Sequence, residues 1–309
     1  MKAITENPHY GERAPKKPAI RKLGTVQCDM VETTPVVFGG KLYRFEYVRP
    51  ASRNEANPSE RSHFRFRDLY SNALTAPFGF DHHLGSAFSD GGEMYVIGVK
   101  ERWAGDALTV FRSKDLETWE AFPVSFPGLE CFNTGVAKKD GKYVLLIETA
   151  SFVPFTFRFA ESTDMIHWTL LPDDYAFQKD RYAGGPALYT LPDDPYYYVL
   201  YLEACPTEKY VTSIARSRDL KEWKYSPLNP VLAYDAEEDK KIANPFLTPH
   251  ERERIERALD VNNSDMEMCE FLGRTVITYS WGNQHGIEFL AEAAYEGPMA
   301  DLLHGFFEG

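Results

Sequence analysis

One phrase returns three times at near 50-residue spacing: Ser113-x-Asp115-x-x-x-Trp119, Ser162-x-Asp164-x-x-x-Trp168 and Ser217-x-Asp219-x-x-x-Trp223. Each copy follows two apolar, aromatic-rich runs with the character of strands. A unit of this length built only from strands and turns cannot bury both of its faces alone. Neighbouring copies must therefore pack on one another, as propeller blades do. Because one strand of every blade then points at a common axis, the repeat also locates a shared pocket.

Anchoring on the turn that ends each innermost strand yields five units, beginning at Glu32, His83, Asn133, Ala183 and Asp265. Their turns are Gly39-Gly40, Asp90-Gly91-Gly92, Asp140-Gly141, Pro192-Asp193-Asp194 and Leu272-Gly273, the chemistry of tight hairpins. The Ser and Asp of the repeated phrase suit side-chain turns, and its Trp suits packing between blades. Between units four and five, Thr248-Pro249-His250-Glu251 opens ERERIERAL with a capping box and a proline at the first helical position. The expected fold is all-β: one five-bladed β-propeller over residues 1–309, with residues 1–20 as an N-terminal extension and one inserted helix over 247–260. That helix should sit outside the propeller or over its mouth.

Composition narrows the function. Asp and Glu total 46 against 34 Lys and Arg, a formal charge of −12, which argues against nucleic acid as a partner. No apolar stretch approaches the roughly 18 residues of a membrane helix, and the first twenty residues have no secretory apolar core, so no membrane partner and a cytoplasmic location are expected. Cys28, Cys131, Cys205 and Cys269 stand far apart and read as four reduced thiols. Oligomeric state is not legible.

Aligning the five joints puts Glu32, His83, Asn133, roughly Ala183, and Asp265 at one register. Polar residues where a core should begin are costly without partners, so an open axial pocket is expected there. Three residues upstream stand Asp29 and Glu130, and Glu267 shares a strand face with Asp265. At the ends of the second strands, Glu148, Glu203 and Trp281 form a further register. Carboxylates converging on one pocket repel, so one should keep its proton near neutrality while another stays ionised. That division is what glycoside hydrolysis requires. Candidate catalytic residues are Glu32 as base, Asp265 as acid or partner, and Asp29, Glu130 and Glu203 in reserve, with His83 as a further option for the acid. Candidate substrate-binding residues are Asn133, Arg181, Tyr182, Asn263, Glu267, Trp281, Gln284 and Trp103, since sugar sites combine aromatic platforms with polar side chains. There is no zinc motif and no cofactor is required; a structural calcium near the axis would leave almost no trace in sequence.

With five units, acidic strand entries and a first unit reading ETTPVVFGGKLYRF, the chain resembles the five-bladed β-propeller glycoside hydrolases. The nearest groups are the arabinanase and xylosidase family 43 and its invertase-like relatives. The resemblance spans residues 21–300 as a blade pattern. It implies a base or nucleophile entering the first blade, a pKa-tuning carboxylate in a middle blade, and an acid from a Glu in an EGP-like motif. Glu32 matches the first role, three residues before Pro35. The middle-blade position holds Asn133, with Glu130 nearby, and Gly184-Gly185-Pro186 stands where the acid's motif would be, so Asp265, Glu203 or His83 must supply the acid. The leading expectation is a glycoside hydrolase acting on an oligo- or polysaccharide. A glycoside phosphorylase, using Arg181, Arg49 and Lys100 to hold phosphate, and a non-catalytic carbohydrate-binding propeller are the alternatives.

Overall fold

A computed structural model describes residues 16–49, 61–100, 105–152, 155–205 and 209–307. Its strands form five antiparallel blades, and the expected all-β propeller is what the chain adopts. Blade one comprises β2 (Thr33–Phe38), β3 (Lys41–Val48) and β4 (His63–Asp68). Blade two comprises β5 (His83–Asp90), β6 (Glu93–Val99), β7 (Ala107–Ser113) and β8 (Glu120–Ser125). Blade three follows with β9 (Cys131–Lys139), β10 (Lys142–Thr149), β11 (Thr156–Ser162) and the two-residue β12 (Thr169–Leu170). Blade four runs β13 (Gly184–Thr190), β14 (Tyr197–Cys205) and β15 (Lys209–Ser217), edged by β16 (Lys224–Tyr225) and β17 (Leu232–Ala233). Blade five has β18 (Asn262–Phe271), β19 (Arg274–Gly282) and β20 (Glu288–Tyr295), and its outermost strand is β1 (Arg21–Cys28), supplied from the other end of the chain. The innermost strands β2, β5, β9, β13 and β18 contact one another in that order and close the ring.

The hairpins form where turn chemistry placed them. Gly39, Gly40, Gly91, Gly92, Asp140, Gly141, Leu272 and Gly273 all have left-handed backbone, the conformation that two-residue hairpin turns demand. The repeated phrase is a structural device. In each copy the Asp carboxylate accepts from two following amides and the Ser hydroxyl accepts from the amide three residues on, as in Leu116 N to Ser113 Oγ at 2.9 Å and Thr118 N to Asp115 Oδ1 at 2.8 Å. The tryptophans then pack between blades: Trp119 stacks on Phe78 at 3.8 Å between ring centroids, and Trp223 of blade four lies against Phe159 of blade three. Such pairs contribute about 0.5–1.5 kcal/mol beyond simple burial.

One blade carries an unusual charge cluster. Glu46 on β3 is wholly buried and accepts from Arg44 at 2.8 Å, Arg65 at 2.7 Å and Arg67 at 2.7 Å. Burial pushes its carboxyl up, but the three guanidinium groups more than offset this and hold it down at about 2.

The inserted helix is α2 (Pro249–Arg257), preceded by α1 (Ala236–Asp239) and followed after blade five by α3 (Met299–Gly305). Thr248 caps α2 in the expected capping box, its hydroxyl accepting from Glu251 N at 3.2 Å. Ile255 buries one face, and Arg254 on the other clamps Asp29 through two bonds of 2.7 and 2.6 Å. The helix thus lies against the exit of β1, outside the ring.

Candidate active site

Four of the five innermost strands share one irregularity, while β2 pairs with β3 without a break. Pairing skips two residues between His83 and Ser86, between Gly184 and Ala187, and between Ser264 and Glu267, and β9 is offset at the same level, where Cys131 and Thr134 pair with Thr149 and Ile147. A bulge of this kind re-aims one side chain. Here it turns Leu84, Gly185 and Asp265 to φ of 51°, 50° and 49°, and Glu32 enters blade one at 44°. Left-handed backbone at a residue other than glycine costs roughly 1–2 kcal/mol, so its recurrence around the axis marks a position held by the whole ring. Glu32, Leu84, Phe132, Gly185 and Asp265 all line one cavity of about 450 Å³ at the strand entries.

Of the expected ring, the structure places Glu32 and Asp265 at this level and the other three one or two residues away from it. His83 lies one residue early, Asn133 one late and Ala183 two early, because the bulge inserts a residue that no sequence pattern announces. His83 is not among the cavity residues: its Nδ1 shares a hydrogen bond with Tyr47 Oη at 2.6 Å, and its Nε2 lies 3.3 Å from Ser62 Oγ.

Glu148, near the end of β10, is a carboxyl group strongly altered by its surroundings. It is 5% exposed, lines the cavity, and takes two N–H donors on Oε2: Asn133 Nδ2 at 2.9 Å and Gly185 N at 3.2 Å. Burial pushes its carboxyl up to about 7; the two donors oppose the shift and the nearby Asp265 carboxylate adds to it. Since Oε2 is engaged as an acceptor twice, Oε1 is the oxygen that carries the proton. Asp265 is also raised by burial, an effect opposed by the Ser264 hydroxyl, which donates at 2.7 Å, and reinforced by Glu288. On the opposite side Arg49 pairs with Glu288 at 2.7 Å and faces Glu32, so a guanidinium charge stands beside that carboxyl group.

The two glycines where the resemblance would place an acid have a steric purpose. A Cβ on Gly184 would meet Tyr182 Oη at 2.5 Å and Glu148 Oε1 at 3.2 Å, and one on Gly185 would lie 2.6 Å from Asp265 Oδ1. Only bare backbone lets Glu148 and Asp265 approach blade four from either side.

Of the other residues expected in the site, Asn133, Tyr182 and Gln284 line the cavity. Glu267 points into the axis beneath it, lining a narrow throat and a second cavity at the far end. Asp29 is held by Arg254 outside the cavity, and Glu130 is solvent-exposed with its amide on Ser151. Glu203 pairs with Arg181 at 2.9 Å and Ser213 Oγ at 2.9 Å, and neither Glu203 nor Arg181 is among the cavity residues. The blade-four residue equivalent to Glu148, opposite the bulge, is Tyr201, two positions before Glu203. Asn263 is wholly buried and accepts from Lys22 Nζ at 2.6 Å while donating to Asp239, which makes it part of the wall of blade five. Trp281 is also wholly buried, donating to Thr25 Oγ1 at 2.8 Å and stacked on Phe289, so it is core and not a sugar platform. The aromatic surfaces in the cavity are Phe132 and Tyr182, bridged by Phe155. Trp103 lies outside the described residues. Among the described residues no three His, Cys, Asp or Glu are grouped to hold a metal ion. No described helix is long and apolar enough to cross a membrane.

No protein-family model and no curated protein sequence matches this chain. Solved structures do. An α-L-arabinofuranosidase from Podospora anserina in complex with cellotriose superimposes with a TM-score of 0.62 at 9% identity, covering 91% of this chain and 99% of that one. The catalytic domain of a GH62 α-L-arabinofuranosidase from Coprinopsis cinerea gives 0.62 at 8% identity, over 91% and 98%. A xylan β-1,4-xylosidase from Bacillus halodurans gives 0.54 at 13% identity, over 91% of this chain and 53% of its own. The likeness is one of fold.

Proposed function

We propose that the protein is a glycoside hydrolase that cleaves a glycosidic bond of an oligo- or polysaccharide in the axial cavity, without a cofactor. The observation that carries this reading is Glu148: a buried carboxyl with no Lys or Arg beside it among the described residues, pushed up to about 7, in the same cavity as Glu32, which faces Arg49. Glu148 is the acid. Its Oε1 proton passes to the leaving glycosidic oxygen, while Asn133 and Gly185 N–H hold Oε2 and ready it for the charge that develops. Glu32, beside Arg49, is the ionised carboxylate that activates water or attacks the anomeric carbon. Asp265 stands between these roles, and its negative charge keeps the proton on Glu148. The same three duties that the resemblance assigns to blades one, three and four are thereby met from blades one, five and three. The similar propeller structures, which are named as glycosidases, support the class.

Phe132 and Tyr182 offer the apolar surface that a sugar face needs, and Gln284 and Asn133 offer hydrogen bonds to its hydroxyls. The phosphorylase alternative is disfavoured by charge: the described residues lining the cavity include Glu32, Glu148, Asp265 and Glu288 and no Lys or Arg. None of α2 lines the cavity.

The test is an aryl-glycoside panel spanning arabinosides, xylosides, galactosides, glucosides and fructoside-like substrates, with wild type beside Glu148→Gln and Glu32→Gln. Each variant should lose about 10²–10⁴-fold in kcat/KM with unchanged circular dichroism. For substrates whose aryl group leaves without protonation, Glu148→Gln should recover most of that loss and Glu32→Gln none of it. Binding of oligosaccharides without turnover, undiminished in both variants, would instead make the protein a lectin.

A further inference from the structure

Beneath the floor of the catalytic cavity the propeller axis continues. A throat of about 10 Å³, room for about one water molecule, is lined by Glu32, Asn133, Gly185 and Asp265 from above and by Glu267 from below. Glu267 also lines the distal cavity of about 300 Å³ that opens at the other end of the axis. Glu267 is not among the residues lining the upper cavity.

Two carboxyl groups, Asp265 and Glu267, thus line one throat with room for about one water, with unequal support. Asp265 accepts from the Ser264 hydroxyl at 2.7 Å, and that hydroxyl is itself fixed as an acceptor from Asn262 Nδ2 at 3.0 Å. Asp265 also feels the charge of Arg49. Glu267 has one donor, the Thr34 hydroxyl, whose oxygen accepts from Ala87 N at 3.2 Å. The other groups around Glu267 supply no positive charge: Glu32 across the throat, the Tyr189 phenol, Ser86 and Thr134, and Cys269 and Glu270 farther down. No Lys or Arg is among the described residues lining either space. Burial with so little compensation pushes Glu267 up to about 8, with Asp265 adding to the rise.

We propose that Glu267 is a positioning residue: as the neutral acid of the throat it donates, through one water, to Asp265 and so fixes the negative charge of the pair on Asp265, beside Glu148. The proton stays on Glu267 throughout turnover. Removal of the donor would leave Asp265 as the better place for the proton; Asp265 would become neutral and Glu148 would lose the charge that holds its own proton. This inference rests on Glu148 as the acid.

Two measurements test it separately from that assignment. Infrared difference spectra between wild type and Glu267→Gln at a pH between the two groups, about 7.5, should show the carbonyl stretch of a neutral carboxylic acid over and above that of Asp260, which burial also raises to about 8, and Glu148→Gln should keep that band. In kinetics, Glu267→Leu should move the alkaline limb of kcat/KM down by about one pH unit with KM little changed. Glu267→Gln, still a neutral donor, should keep the wild-type limb and a rate within about threefold of wild type. If the band is absent or survives in Glu267→Gln, or if the Glu267→Leu profile superimposes on wild type, the proposal is overturned. Should Glu267→Leu fail to fold, the band and the Glu267→Gln profile still decide. An active Glu148→Gln would remove the acid assignment and leave the infrared result for Glu267 standing on its own.

Discussion

Glu46 and Glu148 sit on the second strands of blades one and three, both almost wholly out of water, and their chemistry is opposite. Glu46 accepts from three arginines and is held at about 2; Glu148 accepts from an amide side chain and a backbone N–H and is pushed up to about 7. The gap corresponds to an energy on the order of 7 kcal/mol between the two protonation equilibria. Burial is common to both, so the difference lies in the counter-charge. A carboxylate matched by cations ties strands together, whereas an unmatched one keeps a proton it can give away.

The most damaging way to break this comparison is at Glu46. Glu46→Leu leaves Arg44, only 4% exposed, without its buried acceptor and removes the partner of Arg65 and Arg67. It should cost about 3–5 kcal/mol of unfolding free energy, read by urea denaturation; a loss below about 1 kcal/mol would mean that the cluster is not what holds blade one. The pH dependence sharpens the contrast. A carboxyl raised in the folded state stabilises the fold below its unfolded value near 4.5, and that contribution is lost as pH rises through about 7. Glu148→Gln should therefore match wild type in acid and exceed its stability above pH 8 by up to roughly 3 kcal/mol. Glu46 has the reverse sign: its contribution is present above about 4.5 and lost as pH falls through about 2. The smallest effect is at Trp281. Trp281→Phe loses the bond to Thr25 and should cost about 1 kcal/mol of stability with KM unchanged, and a tenfold rise in KM would return Trp281 to the sugar site.

What sequence could reveal follows the range of the interactions involved. Hairpins set by Asp140-Gly141 or Leu272-Gly273, the Ser-Asp-Trp turns and the capping box at Thr248 are each written within a few residues, so blades and helix were legible. Glu32 and Asp265 could be aligned because Glu32, at the entry of β2, and Asp265, in the strand-entry bulge of β18, stand at the same distance from their turns. Leu84, Phe132 and Gly185 occupy the same bulge but were misplaced by one or two residues, since an extra unpaired residue has no signature of its own. Glu148 and Glu203 look alike along the chain, each closing an apolar second strand. Only the ring distinguishes them, because it brings Asn133, Gly185 and Asp265 to Glu148 and Arg181 to Glu203. Asp29 was expected at the axis because it precedes Glu32 by three residues, but its partner Arg254 comes from an insertion whose docking place the sequence does not state.

The closing strand has a consequence for how the molecule comes into being. β1 is synthesised before any strand of blade one, yet its partner β20 follows every other blade strand, with Arg21 opposite Ala294. Bringing such distant segments together carries a loop-closure entropy that grows only logarithmically with separation, but the pairing still has to wait for synthesis to reach it. Until then β20 has a bare edge, Lys22 has not met Asp239, and the segment running from β1 into Glu32 is not anchored beside blade five. The five strand entries become a pocket in the same event that seals the circle, so the nascent chain should acquire its blades gradually and its chemistry all at once.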